Sequence, residues 1–537
     1  MKKILSLILC LILSVSIFSA CNPNGEDKPD NGGNNSNGQV TPDDDNNGDT
    51  STDDEPVDIP SEFLPDQVLP ENIPTSDYSP EDVVNSINDA CIKTRFGINT
   101  YQMALTNIDV ESVYNAFIEK GYTALNAPTV KGQKSETKVL ASGNNFVTLH
   151  AKNNNVRVMW DICDTSTYPL LFPNDKTNTG AITMAQIGVD RGETTDNPSI
   201  GMCYVYKLSD GSAVIVDGGL GSNADEIYNT LKKLDIAKNA QGKYRIATWI
   251  LTHGHDDHYG ALEAFANNYK NYSEVSFIMQ SFPMVNSAYA LNDLDVEEFF
   301  SEISSHYPNA IHVVPHKGLR YFIGNLTIDM LYTPDMLGVF NYYNDTSLIF
   351  TAKCAGKKVL HFGDATEKAS TETWFNYEAE TFKADVLQIT HHGLYTGPNT
   401  HTWTNIGRIY MATGATYGLL PMGTRYQPDE RNGRWTLLCD WAKKGRHTSF
   451  IINNLESDTN CVVSEQADWD KFIVDVNAGV SNYQTCLGYN GKNIVANRFG
   501  LTTYIMSTET ENMATVFNFT STKITIAINE TLSNWFN

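Results

Sequence analysis

The chain is 537 residues long, with 63 Asp and Glu against 38 Lys and Arg and a formal net charge of −25. That length is enough for a large buried core and more than one domain, and the acid excess argues against a broad surface for nucleic acid or other polyanions. Nine cysteines occur without a C-x-x-C pair, so they lack structural-metal spacing and most read as small buried apolar residues, with a disulfide left open.

Two lysines followed by an uncharged, largely apolar run from Ile4 to Ala20 form a signal-peptide pattern over residues 1–20. Phe18-Ser19-Ala20-Cys21 resembles the bacterial lipoprotein processing box, with Cys21 as the lipid-bearing first residue. Multiple acyl chains on one cysteine give the stable anchoring that a single chain does not. No later segment has the about 18 uncharged apolar residues needed to span a bilayer, so an extracytoplasmic, lipid-anchored protein is expected. Residues 21–73 are dominated by Asn, Asp, Gly, Pro and Ser, with fourteen acids and one lysine between Asn22 and Glu71. Such a segment buries too little apolar surface to offset its ordering entropy and reads as a tether.

Residues 74–175 read as a small α/β module. SPEDVVNSINDACIK has a helix start at Ser79-Pro80, INTYQMALTNI a strand, VESVYNAFIEKGY a second helix closed by Gly121, and FVTLHAKNNNVRVMWDI a hairpin around an Asn-rich turn. His150 lies alone in that hairpin and reads as structural. From about Ala181 the pattern alternates: strands AITMAQIGV, MCYVYKL and SAVIVDGG, then the helix NADEIYNTLKKL, then a strand running into ILTHGHDDHYGAL. The stretch 466–537, with TTYIMST and ATVFNFTSTKITIAI, reads as β-rich, either a module of its own or the completion of the neighbouring sheet.

Three of the twelve histidines fall between His253 and His258, where a strand gives way to a helix. The pattern H-x-H-x-D-H can aim His253 and His255 at one cation, and Asp257 and His258 at a second. Mixed imidazole and carboxylate ligands suit zinc, with manganese or iron as alternatives. Two later strand ends carry the same chemistry. KKVLHFGDATEK sets Asp364 after Gly363, where its two oxygens can bridge two cations, and ADVLQITHHG ends in His391 and His392.

Together VIVDGG, THGHDDHYGAL, HFGDATE and THHG, in that order, resemble the metallo-β-lactamase superfamily of dinuclear metallohydrolases. The resemblance implies an α/β fold over residues 176–465, a four-layer αβ/βα sandwich flanked by the small module and the β-rich tail. NDTSLIF, from Asn344 to Phe350, is similar to the branch containing the ComEC hydrolase domain and the pneumococcal phosphorylcholine esterase. Carried over by position, His253 and His255 would hold one metal, Asp257, His258 and His392 the other, and Asp364 would bridge. His391 would face substrate as a phosphate contact or proton donor, with Asp257 counted among the catalytic groups as well as the ligands. Asp217 would orient a ligand histidine from behind, and Asn344 would stand where many members place a further histidine. Asp256 reads as solvated or helix-capping. His316, in the turn PHKG, is a weak candidate ligand, and strand alternation points His361 away from the Asp364 side.

The expected activity is hydrolysis of phosphodiester or phosphoryl-ester bonds by a hydroxide shared between two zinc ions, acting on an envelope polymer or a small phosphoester. Hydrolysis of a lactam, lactone or thioester, and a binding protein on an inactive hydrolase fold, are the competing readings.

Overall fold

The computed structural model describes residues 99–105, 107–162, 169–173, 179–187, 201–282, 296–334, 343–393, 404–415, 417–421, 503–506 and 513–531. The signal and tether segments, Cys21 and the helix expected at Ser79 lie outside these residues.

The N-terminal module is an antiparallel sheet in the order β1-β5-β4-β3-β2, formed by β1 (Asn99–Leu105), β2 (Thr123–Ala124), β3 (Glu136–Ser142), β4 (Asn145–Lys152) and β5 (Asn155–Ile162). Helix α1 (Val110–Glu119) starts at Asp109, whose carboxylate accepts a 2.9 Å hydrogen bond from the Ser112 amide. Its Val110, Val113 and Phe117 are buried with Leu140, Val147, Leu149, Val158 and Trp160. The β4–β5 hairpin closes through Asn153 and Asn154, with φ of 51° and 59°. Two successive left-handed residues define the turn whose twist matches the strands, and asparagine tolerates that conformation.

The rest builds two sheets. The first runs β11-β10-β9-β8-β7-β6-β19-β20, from β6 (Ile182–Ile187), β7 (Cys203–Lys207), β8 (Ala213–Asp217), β9 (Tyr244–Ile250), β10 (Ser273–Met279), β11 (Ile311–Val313), β19 (Met513–Phe519) and β20 (Ile524–Thr531). The second runs β12-β13-β14-β15-β16-β17-β18, from β12 (Arg320–Ile323), β13 (Leu326–Tyr332), β14 (Ile349–Cys354), β15 (Lys357–His361), β16 (Val386–Gln388), β17 (Tyr417–Leu420) and β18 (Thr503–Met506). The strands of the β-rich tail are therefore built into both sheets, the second of the two arrangements open to the sequence.

Tyr204, Tyr206, Val214 and Val216 of the first sheet meet Leu326, Ile328, Met330 and Phe350 of the second in one buried core. The outer face of the first sheet packs on α2 (Ala224–Lys233), α3 (Asp256–Tyr269) and α4 (Val296–His306) through Ile227, Leu231, Leu262, Phe265 and Phe300. Helices α5 (Glu367–Asn376) and α6 (Thr404–Thr413) pack together beside the second sheet. The result is a four-layer α/β sandwich. In each sheet a run of parallel strands places its carboxyl ends at one edge, where ligands of open α/β sheets collect.

The module shares this core. Phe146, Val139 and Ala127 belong to the same buried cluster as Leu319 and Tyr321. His316 is not near the metal ligands: its Nε2 lies 2.9 Å from Asp161 Oδ2 of the module, both side chains buried, and its Nδ1 meets the Thr148 hydroxyl. His361 stacks on Phe350 in the interlayer core and bonds the Tyr206 hydroxyl at 2.7 Å. His150 bonds Thr137 at 3.1 Å. Replacing Asp161 with alanine leaves a buried imidazole without its carboxylate. We expect a loss of about 1–3 kcal/mol in urea unfolding with unchanged metal content. Equal stability to wild type would show that the contact is dispensable.

Candidate metal centre

Three strand ends carry the candidate ligands to the site. Strand β9 runs into Leu251 and Thr252, then His253 and His255, and α3 begins immediately after at Asp256. Asp257 and His258 therefore lie in the first turn of a helix, where the aligned peptide dipoles favour a carboxylate. Asp364 follows β15, and His391 and His392 follow β16.

The side chains fall into two groups, His253 with His255 and Asp364, and Asp257 with His258 and His392, the candidate ligand atoms in each lying within 4.8 Å of one another. Asp364 joins the groups. Its Oδ2 is 3.2 Å from both His258 Nε2 and His392 Nε2, and 3.8 Å from His253 Nε2. His392 Nε2 is also 3.4 Å from Asp257 Oδ2.

Three imidazoles are held from behind. His258 Nδ1 lies 2.9 Å from Asp217 Oδ2, His392 Nδ1 2.7 Å from the Pro421 carbonyl, and His253 Nδ1 3.1 Å from the Thr252 hydroxyl. With Nδ1 engaged as a donor, the Nε2 lone pair is turned into the site. His255 is oriented differently, its Nδ1 facing His253 Nε2 at 2.9 Å. His258 Nε2, His392 Nε2 and Asp364 Oδ1 are buried with no hydrogen-bond partner among the described residues. Lone pairs converging without donors, on an imidazole and carboxylate set, fit a pair of transition-metal cations.

Burial works against every charge here. It holds His253 well below the ordinary imidazole pKa and pushes His391 down to about 4. For His258 burial is outweighed by Asp364, Asp217 and Asp257, which lift it well above the usual value. His392 is likewise pushed up to about 9, burial being overcome by Asp364 and Asp257. Burial also opposes the Asp364 charge, yet His258 and His392 hold its carboxyl well below the usual range.

Asp217 accepts from the Thr252 amide at 2.7 Å and the Thr252 hydroxyl at 2.9 Å while its own carbonyl accepts from Trp249 Nε1. Asn344 sits in a 3₁₀ turn, Tyr343–Thr346, with Nδ2 at 3.1 Å from His391 Nε2. Asp256 is exposed. The backbone is left-handed at Asp217 (φ 54°), His391 (φ 49°) and His392 (φ 53°). Each such residue costs about 1–3 kcal/mol and persists only where its surroundings over-determine it.

Several supporting residues carried no sequence signal. Thr252 touches Asp217, His253 and His258 together. Gln388 ties the Asp364 loop to the histidine loop, accepting from the Phe362 amide and donating to the carbonyls of Gly363 and Ile389. The Ser347 hydroxyl accepts from the Asp364 amide, and Asp345 accepts from the Thr366 hydroxyl just before α5.

Residues 196–275 match the sequence profile of the metallo-beta-lactamase superfamily, and the chain contains a domain of that superfamily, with the α/β sandwich its members share. No curated relative matches at the sequence level. Among solved structures, the metallo-beta-lactamase fold protein YhfI from Bacillus subtilis is 17% identical over 48% of this chain and 92% of its own, with a TM-score of 0.29. Human tRNase Z, short form, is 12% identical over 45% and 92%, with a TM-score of 0.26. CmlA, a diiron beta-hydroxylase from Streptomyces venezuelae, is 12% identical over 51% and 52%, with a TM-score of 0.29.

Elemental analysis of unchelated protein should find close to two transition-metal ions per chain. His392→Ala should lower that content and His391→Ala should not, and the reverse pattern would exchange their roles. A Cβ on Gly363 would lie 2.8 Å from both Cβ and Oγ1 of Thr252, at a φ of 51°. Gly363→Ala should therefore lower metal occupancy in a folded protein, and full occupancy would refute the claim that this contact sets the Asp364 loop.

Proposed function

We propose that this chain is a metal-dependent hydrolase of phosphodiester or phosphoryl-ester bonds, carried outside the cell on a lipid at Cys21. The observation behind the reading is the pair of ligand groups joined at Asp364, with the polar pair His391 and Asn344 beside them. Two bound cations, zinc by ligand preference, would supply an acidified water and neutralise charge developing on the phosphoryl oxygens. The protein groups do the rest. Asp217, Thr252 and Pro421 hold the histidine rings so that their lone pairs face inward. Asp257, buried in the first turn of α3, keeps its carboxylate 3.4 Å from His392. His391 Nε2, 3.9 Å from Asp364 Oδ2, is placed to contact a substrate oxygen.

The ComEC-like and phosphorylcholine esterase-like kinship remains part of this proposal, resting on the NDTS segment. So does the substrate, a small phosphoester or a decorated envelope polymer. The acidic balance of the chain disfavours nucleic acid. Among the described residues no helix is long and apolar enough to cross a membrane, and the membrane association proposed here is through the lipid.

Purified protein should hydrolyse bis-nitrophenyl phosphate, lose that activity to a chelator and regain it with zinc. His391→Ala should cut the rate about 100-fold, the low end for a lost proton-transfer or oxyanion contact, at unchanged metal content. Metal-loaded protein inactive on phosphoesters but active on a lactone or thioester would overturn the assignment. Cys21→Ser should move the protein from the membrane fraction to the soluble one, and retention on the membrane would exclude the lipid anchor.

A further inference from the structure

Asp217 can steady His258 only if its own backbone is held. Its carboxylate meets three groups at once, the Thr252 amide at 2.7 Å, the Thr252 hydroxyl at 2.9 Å and His258 Nδ1 at 2.9 Å. At φ 54° the residue is left-handed, a conformation that a non-glycine residue keeps only where its surroundings over-determine it. On the amino side Asp217 is paired with Cys203 at the end of β8. On the carbonyl side the partner is a side chain, for Trp249 Nε1 donates to the Asp217 oxygen at 3.0 Å. The backbone amides that follow β9 are committed elsewhere, that of Leu251 to the Met279 carbonyl and that of Thr252 to the Asp217 carboxylate.

Trp249 lies opposite Ile215 in the β8–β9 pair and is wholly buried in the core on the helix side of the sheet. Its ring packs edge-on against Phe265 of α3, with centroids 5.3 Å apart. The turn after Asp217 is pressed against both. A Cβ on Gly218 would lie 3.0 Å from Ala261 Cβ and 3.3 Å from Trp249 Cζ2. Packing alone does not ask for an indole, since a phenylalanine ring also fills an apolar layer. The indole adds one N–H, and a buried tryptophan N–H needs an acceptor just as the Asp217 carbonyl needs a donor.

We propose that Trp249 is a positioning residue for the metal held by Asp257, His258 and His392. Its N–H fixes the Asp217 backbone, Asp217 fixes the His258 ring, and His258 Nε2 faces Asp364 at 3.2 Å. The group of His253, His255 and Asp364 is less exposed to this chain of contacts. It reaches Asp217 through Thr252, whose carbonyl is separately anchored by the Leu348 amide at 3.0 Å. Loss of the indole N–H therefore falls on one cation and spares the other. The inference rests on the two-metal reading of the site and not on the choice of substrate.

The test titrates the full-length, metal-free protein with cobalt(II), following the visible absorption of the bound ion and counting metal by elemental analysis. His392→Ala identifies the binding step that belongs to the second group. Trp249→Phe keeps an aromatic ring and lacks the N–H. Benzothienylalanine placed at position 249 keeps the full shape of the indole with sulfur in place of the N–H, and serves if the phenylalanine variant does not fold. Either change should weaken the second group's step about 10-fold, the low end for a lost outer partner of a ligating histidine, and leave the other step unchanged. In an Asp217→Ala background the same change should have no further effect on cobalt affinity, because the path through Asp217 is already cut. A role in packing alone would lower the melting temperature and leave the ratio of the two affinities as in wild type. That result, or an equal weakening with and without Asp217, would overturn the proposal while the two-metal reading stands. A wild-type protein that takes up no cobalt would remove both.

Discussion

The carboxylate of Asp364 is buried and lies 3.2 Å from imidazole nitrogens of both His258 and His392. A carboxylate taken out of water is tolerable only when opposite charge is delivered to it by well-placed partners. Those partners come from different sheets. His253 and His258 follow β9 of the first, while Asp364 and His392 follow β15 and β16 of the second. The two sheets are thus tied at their carboxyl edge by electrostatics as well as through the apolar layer between them. Much local irregularity serves the same end. The left-handed backbones at His391 and His392 and the glycine before Asp364 lie in the loops that carry these groups, and the one at Asp217 belongs to the residue that holds His258 from behind.

The sequence disclosed what is local. H-x-H-x-D-H is legible because six consecutive residues at a strand-to-helix junction must share one neighbourhood, whatever surrounds them. Asp364 and the His391–His392 pair are legible because each ends an apolar strand and is followed or preceded by glycine. The supports are not legible for the opposite reason. Thr252 is an ordinary threonine until Asp217 folds against it, and Pro421 contributes a carbonyl that every residue has. Gln388 acts by bridging two loops that only the parallel pairing of β15 and β16 brings together.

The same limit governs the module. Its helix, strands and Asn-rich turn follow from capping, apolar spacing and backbone preference. That His316 would meet Asp161 does not, because the contact depends on how two layers dock, and no periodicity records it. The attachment is extensive all the same. Beyond the shared apolar core, Gln133 Nε2 donates to the Gly318 carbonyl, the Glu378 amide to that of Gly132, and Lys152 reaches the end of α5 at Asn376. The module therefore borders the helix that follows Asp364.

Strand β19 lies between β6 and β20, pairing Ala514 with Ile187 and Phe519 with Ile182. The ladder joins segments roughly 330 residues apart, a separation that slows folding. Synthesis proceeds from the amino end, so β6 emerges long before its partner. Until Phe519 arrives, one side of β6 keeps unpaired amides and carbonyls, the kind of edge that recruits strands from other chains. A strand made late thus shields one made much earlier, and a chain cut short anywhere before residue 513 would carry an open, adhesive flank.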